Sequence, residues 1–437
     1  MKLATFLIAL PVVASADMPV APLDPMDFDI PLAAELHLGQ LLFYDPILSG
    51  NRTVACSTCH HPRFATGDGV PLGIGDGGLG LGPDRTPDPN NPPEQRIPRN
   101  SLALFNLGHG SIRTLFMDGR IEQDATRPSG FRTPLEDDMV QGFDGILSAQ
   151  TMFPVLSPDE MAGHYQENEI SQAVRQGFLT GPNGAWNRIA NRVAAVPDYQ
   201  ERLETAYPEI AAGRAVAFTD ISNAIAAFIG FEWRADNSAF DQHLRGTAPL
   251  TGDAASGMDL FFGDAGCSAC HSGPLLSDQQ FYAMGEPQLG PGKAASFESH
   301  QRDVGRMRVT GLPRDAYAFR TPMLRNVTET GPWGHAGAHG DLGAFLRFHA
   351  NPLRGLGEFD TRIKLPAPEY FTGDWAIMDS PEERTAIADA IYTRPIAELG
   401  DADFDALLAF LGSLKDEQSL SGRLGIPSTV PSGLPVE

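Results

Sequence analysis

Apolar and polar positions along this chain fall into segments that occur twice. "GQLLF" at 39–43 and "GMDLF" at 257–261 both read G-x-x-L-F, and "AIAAFIG" at 224–230 is answered by "ALLAFLG" at 406–412. Apolar residues recur at helical spacing in each, so each predicts a helix that buries one face. A single five-residue match carries no weight, but two pairs in the same order predict a duplicated helical unit. The first unit occupies residues 17–237, with its structure starting near Asp24; the second occupies 238–421, and a Pro/Gly-rich tail, 422–437, follows. Within the second unit, "DLGAFLRFHANP" places Leu342, Phe345, Leu346 and His349 at i, i+3, i+4 and i+7 on one helical face. Asp341 suits its N-cap and Pro352 its stop. Residues 68–98 are glycine-rich, then proline-rich, which excludes helix and central strand and predicts a long loop of the kind that is either functional or disordered. Few segments alternate as strands do. The expected fold class is mainly α.

The first residues change the picture only at one end. An apolar run from Leu3 to Val13 follows Lys2 and precedes Ala14-Ser15-Ala16, which predicts a signal peptide over residues 1–16 and a periplasmic protein. The absence of a cysteine near that cleavage site argues against a lipoprotein. No other apolar stretch reaches the roughly 18–20 residues that a membrane helix needs. A hydrophobic content of 42% supports real cores in two or three domains. The net charge of -23 argues against nucleic acid and anionic membranes as partners.

The chain has four cysteines, placed two by two in "CSTCHHP" at 56–62 and "CSACHSG" at 267–273. Two disulfides are one reading in an oxidising compartment. Zinc is another, although paired C-x-x-C knuckles normally lie about 15–20 residues apart, far closer than these. Neither explains the histidine after each pair. A third reading, c-type haem attachment, does: two thiols form thioethers to the porphyrin vinyl groups, and the next residue ligates the iron. On this reading Cys56, Cys59 and His60 hold one haem, and Cys267, Cys270 and His271 hold a second. Each unit is then a cytochrome c-like domain, and the loop at 68–98 leaves directly after the first motif and folds over that haem.

Both motifs, "DGR" at 118–120, "PVLSPDEM" after Gln150, and above all "TPMLRNVTETGPWGHAG" at 321–337 resemble the bacterial di-haem cytochrome c peroxidase and MauG superfamily. The resemblance covers nearly all of the mature chain. It implies one haem that binds peroxide, a second six-coordinate haem that relays electrons, and a calcium ion between the domains. The sixth ligand of the relay haem is implied fourteen residues past His335 of the H-x-G element, at His349, where relatives have methionine or tyrosine. A bis-histidine haem should have a lower potential than a His/Met one. A histidine that caps the peroxide haem in some relatives is matched here by Asp76, so the resemblance implies an open iron at His60, with His109 the rival cap.

The resemblance places glutamate just before the glutamine matched by Gln150, where this chain has Ala149. The distal acid and base is therefore open among Asp76, His109, Glu136, Asp137 and Asp138. Met117 stands where relatives carry a tryptophan between the haems, which weakens electron hopping through that side chain. The implied calcium ligands are Asn100 with the carbonyls of Thr330 and Pro332, oxygen donors that suit that ion. Arg99, Arg320 and Arg325 are candidate partners for haem propionates. Three functions follow: peroxide reduction with electrons from a small cytochrome c or cupredoxin, MauG-like oxidation of side chains on a partner protein, or plain electron carriage. A homodimer is compatible with each.

Overall fold

The computed structural model describes residues 20–293, 298, 300–394 and 397–437. The signal peptide expected at 1–16 lies outside them. Six helices place the sites: α1 (Ala33–Tyr44), α2 (Ile146–Thr151), α3 (Phe218–Glu232), α4 (Gly252–Phe262), α5 (Leu342–Ala350) and α6 (Asp401–Gly412). Strands among the described residues are two or three residues long and all antiparallel. They form β1 (Gly78–Leu79) with β2 (Thr86–Pro87), then β3 (Thr114–Leu115), β4 (Ile121–Gln123) and β5 (Phe131–Arg132), and finally β6 (Phe281–Tyr282) with β7 (Phe319–Arg320).

The repeated motifs are the two sides of one helix crossing, used twice. A Cβ placed on Gly39 of α1 would stand 1.8 Å from the Ala224 carbonyl oxygen and 2.9 Å from Phe228 Cβ on α3. A Cβ on Gly257 of α4 would stand 1.9 Å from the Ala406 carbonyl oxygen and 2.9 Å from Phe410 Cβ on α6. Only glycine allows two helix backbones to come this close, which is why G-x-x-L-F meets A-x-x-A-F in both units. Aromatic rings flank the contact, with Phe43 5.3 Å from Phe228 and Phe261 5.0 Å from Phe410. Complete burial of each phenylalanine contributes about 1.5–3 kcal/mol.

The two cores divide where the chain passes from Trp233 to Phe240. Trp233 packs 5.0 Å from Phe43 in the first, and Phe240 packs 5.2 Å from Phe410 in the second. Ion pairs join the units: Arg99 grips Asp303 through Nε and Nη2 at 2.7 and 2.9 Å, and Arg96 Nη2 lies 3.0 Å from Asp374. The segment after Ser421 turns back onto the first unit. Glu232 accepts from the Leu424 and Gly425 amides, Ser432 donates to Asp45 at 2.7 Å, and Val430 joins the first core.

Candidate functional site

In the second unit, a short 3-10 turn, Cys267–Ala269, follows α4 and presents the C-x-x-C-H motif. The Leu276 carbonyl holds His271 Nδ1 at 3.1 Å, which leaves the other ring nitrogen to face away from its own loop. Facing it is His349 on α5, with ring centroids 6.2 Å apart. Helix α5 starts and stops where its sequence suggests: Asp341 accepts from the Ala344 amide at 2.7 Å, and the helix ends at Ala350. Leu342 and Leu346 pack into the second core, and Phe345 lies 5.6 Å from His349. Burial lowers the pKa of His271, and burial followed by the field of His271 lowers that of His349 to about 4. Both rings are therefore neutral imidazoles, the form that ligates metal.

The first motif is built in the same way. Cys56–Cys59 forms one helical turn, the Thr66 carbonyl holds His60 Nδ1 at 3.0 Å, and Ser101 Oγ donates to the Cys59 carbonyl at 2.7 Å. The 68–98 loop wraps this motif, so that Val70, Gly73 and Ile74 line one cavity with Thr58 and Cys59. Buried Arg85 ties the loop down by donating to the carbonyls of Ile74, Gly75 and Gly80 at 2.6, 2.7 and 2.6 Å. Among the described residues no imidazole pairs with His60 as His349 does with His271.

Several observations test whether these residues suit a haem. The His271 and His349 ring centres stand 6.2 Å apart, which leaves room for both imidazoles to reach one metal ion between them. All four cysteines are unpaired. Burial pushes Cys56 and Cys59 up to about 12 and Cys267 up to about 11, the reverse of the depressed thiol of a redox-active C-x-x-C pair. Arg320 is buried, its Nη1 has no partner among the described residues, and burial lowers its pKa to about 10, so an anion such as a carboxylate would complete it. The residues fit the group.

The other predicted positions are scattered. Asn51 Nδ2 donates to both oxygens of Asp76 at 3.2 and 3.0 Å, and burial, then Glu167, pushes Asp76 up to about 6. His109 packs 5.0 Å from Phe28, with Nε2 3.5 Å from Asp27 Oδ2. Exposed Glu136 and Asp137 both pair with Arg127. Gln150, on α2, has a buried Oε1 without a partner among the described residues. Asn100 Nδ2 donates to the Pro332 carbonyl at 2.7 Å, whereas the Thr330 hydroxyl donates to Val327 within its own turn. Arg325 is taken up by Asp241 at 2.6 Å, and Arg99 by Asp303 and Asp118. Met117 is buried, and its carbonyl accepts from the Arg320 amide at 2.7 Å.

Glu160 was missed by sequence reasoning. It lies on a π-helical turn, Pro158–Ala162, a conformation frequent at functional sites. Its charge acts on Cys59, His60, Arg120 and Lys293, which sets it beside the first motif. The only sequence signal was its place within "PVLSPDEM", ten residues after Gln150.

The sequence profile of the di-haem cytochrome c peroxidase family matches residues 33–249. The chain is 30% identical over 322 residues to the methylamine utilization protein MauG of Methylorubrum extorquens, covering 72% of this chain and 69% of that protein. It is 28% identical over 302 residues to the cytochrome c551 peroxidase of Pseudomonas aeruginosa, covering 69% and 67%. Its fold is similar to a MauG-like protein associated with microbial copper homeostasis, at 25% identity and TM-score 0.56 over 94% of this chain and 97% of that one. The diheme peroxidase BthA of Burkholderia thailandensis shares the fold at 20% identity and TM-score 0.57, over 94% and 92%.

Proposed function

Because the chain belongs to the di-haem cytochrome c peroxidase family and is a peroxide-dependent oxidoreductase, we propose that it reduces hydrogen peroxide beside Cys56, Cys59 and His60. Electrons reach that site through Cys267, Cys270, His271 and His349 from a small cytochrome c or cupredoxin, in the periplasm after removal of residues 1–16. The carrying observation is the asymmetry of the two motifs: His271 faces His349 at 6.2 Å, while His60 has no such partner among the described residues. When bound, the two haems supply the redox chemistry, with iron to cleave the O–O bond and store oxidising equivalents.

The chain's own residues manage position and protons. His60 and His271 are oriented by the Thr66 and Leu276 carbonyls. Glu160 takes the proton from the attacking peroxide oxygen and returns it to the leaving oxygen. Gln150, whose Oε1 has no partner among the described residues, orients the peroxide. Arg320 would hold a propionate, and Asn100 with the Thr330 and Pro332 carbonyls would hold calcium between the units. Asp76, His109 and Glu136 are assigned no proton transfer, since each is engaged elsewhere.

Imidazole rather than thioether opposite His271 favours one second reading, MauG-like oxidation of side chains on a partner protein. The test is a peroxide titration of the resting ferric protein, followed by electron paramagnetic resonance and optical spectra. The expected result is one high-spin component that peroxide consumes and one low-spin component that His349→Ala abolishes. A low-spin signal that survives that substitution, or a resting protein with both irons low-spin and inert to peroxide, overturns the proposal. Turnover with reduced cytochrome c marks peroxide reduction, and a mass change in a partner protein marks the second reading.

A further inference from the structure

Beside the second motif stand two tyrosines that the reaction above does not use. Tyr282, on β6, donates its hydroxyl to Asp278 Oδ2 at 2.8 Å and lies beside Cys270. The Cys270 sulfur stands for the thioether of the attached haem. Asp278 is itself fixed, its amide donating to the Cys270 carbonyl at 2.8 Å and its Oδ1 accepting from the Gln280 amide at 2.9 Å. Tyr392 lies against Tyr282 with ring centroids 4.9 Å apart, and its amide donates to the Ala283 carbonyl at 2.8 Å. Tyr392 is 45% exposed. The chain thus runs in contact from Cys270 through Tyr282 to the solvent.

Packing alone would be served by phenylalanine at both positions. A phenol that loses an electron also loses its proton, so it needs a base in hydrogen-bond reach, and Asp278 is such a base for Tyr282. The geometry points to Tyr282 and Tyr392 as a two-step path by which oxidising equivalents leave the second motif for the protein surface. Tyr282 gives its electron to the peroxide-oxidised protein and its proton to Asp278. Tyr392 then gives an electron to Tyr282, which takes its proton back from Asp278, and Tyr392 releases its own proton to water. An external phenol restores Tyr392 by donating a hydrogen atom. Two passages supply the two electrons and two protons that convert H2O2 to two H2O, and the two phenoxyl products couple to one biphenol. This inference rests on the peroxide chemistry proposed above, and it names the class of reductant, a phenol, that a surface tyrosine would oxidise.

The test uses the haem-loaded full chain, peroxide and no redox-protein donor, with a nitroxide radical trap and peptide mass spectrometry. The expected trap adduct is on Tyr392, and Tyr282→Phe should lower it by about tenfold. Asp278→Asn should lower it as well, since it removes the proton acceptor and keeps the contact between the two rings. With N-acetyltyrosinamide as reductant, dityrosine fluorescence should fall in Tyr392→Phe to a similar degree. An adduct on Tyr392 that is equal in the wild type and Tyr282→Phe overturns the path. No adduct on Tyr392 in a protein that still reduces peroxide with reduced cytochrome c overturns the path and leaves the peroxidase reading standing. A protein that consumes no peroxide with either reductant sinks both.

Discussion

Alanine at Gly39 or Gly257 tests whether the duplicated helix crossing is what carries both motifs. The new Cβ would sit 1.8 or 1.9 Å from a carbonyl oxygen, where real contacts do not fall below 3.0 Å, so the helix pair must part by 1.2 or 1.1 Å. The obstacle is backbone, which cannot swing aside as a side chain can. Overpacking of this kind costs about 1–3 kcal/mol, and a rigid obstacle puts it near 3. Alanine recovers about 1 kcal/mol through its helix propensity, leaving a net loss of about 2 kcal/mol. For a unit of roughly 200 residues this lowers Tm by about 4–8 °C. Gly412, at the end of α6, is the control, because a Cβ there meets nothing within 4 Å. Gly412→Ala keeps only the propensity gain, up to about 1 kcal/mol, and should raise Tm by up to about 4 °C. Scanning calorimetry of the haem-loaded protein reads all three variants. If Gly39→Ala and Gly257→Ala leave Tm within about 1 °C of the parent, or raise it as Gly412→Ala does, the crossing is not the close contact described.

Glu160→Gln should slow the reaction of the resting protein with peroxide by about 10²–10⁴-fold, while the same change at Glu136 has little effect; stopped-flow spectroscopy at fixed pH separates them. The Glu286 carboxyl is largely enclosed, its Oε2 lies 3.9 Å from His339 Nε2, and burial pushes its pKa up to about 8 from 4.5. A carboxyl raised in the folded state contributes its stability fully below the unfolded value and loses it as pH rises through the folded one. Relative to the parent, Glu286→Gln should therefore gain in unfolding midpoint as pH rises from about 4.5 to 8 and be the more stable form at pH 8. A difference of the opposite sign would contradict the burial of an uncharged acid there. Arg85→Met should release the 68–98 loop from three carbonyls, and proteolysis within that loop should then outpace cleavage elsewhere. Equal protection of parent and variant would show that the guanidinium does not hold the loop.

What sequence alone determined is local. C-x-x-C-H places three groups within five residues, so the attachment chemistry survives any arrangement of the rest. The face formed by Leu342, Phe345, Leu346 and His349 is set by 3.6-residue periodicity, and α5 has the cap and end that Asp341 and Pro352 suggest. The paired G-x-x-L-F and A-x-x-A-F segments were legible as a repeat, although their meeting at Gly39 and Gly257 was not.

Tertiary structure decided which groups are free to act. Asp76, Arg99 and Arg325 look available in a string of letters, yet each is already bound, to Asn51, to Asp303 and to Asp241. Glu160 was hidden in a stretch with no helical period, and only the fold brings its charge to bear on Cys59 and His60. The tail offered no signal that it would return to Glu232 and Asp45. The physical reason is one of range: spacing and periodicity act over a turn or two of chain. The field at a carboxylate, or the partner of a buried guanidinium, depends on atoms hundreds of residues away that only the folded packing brings together.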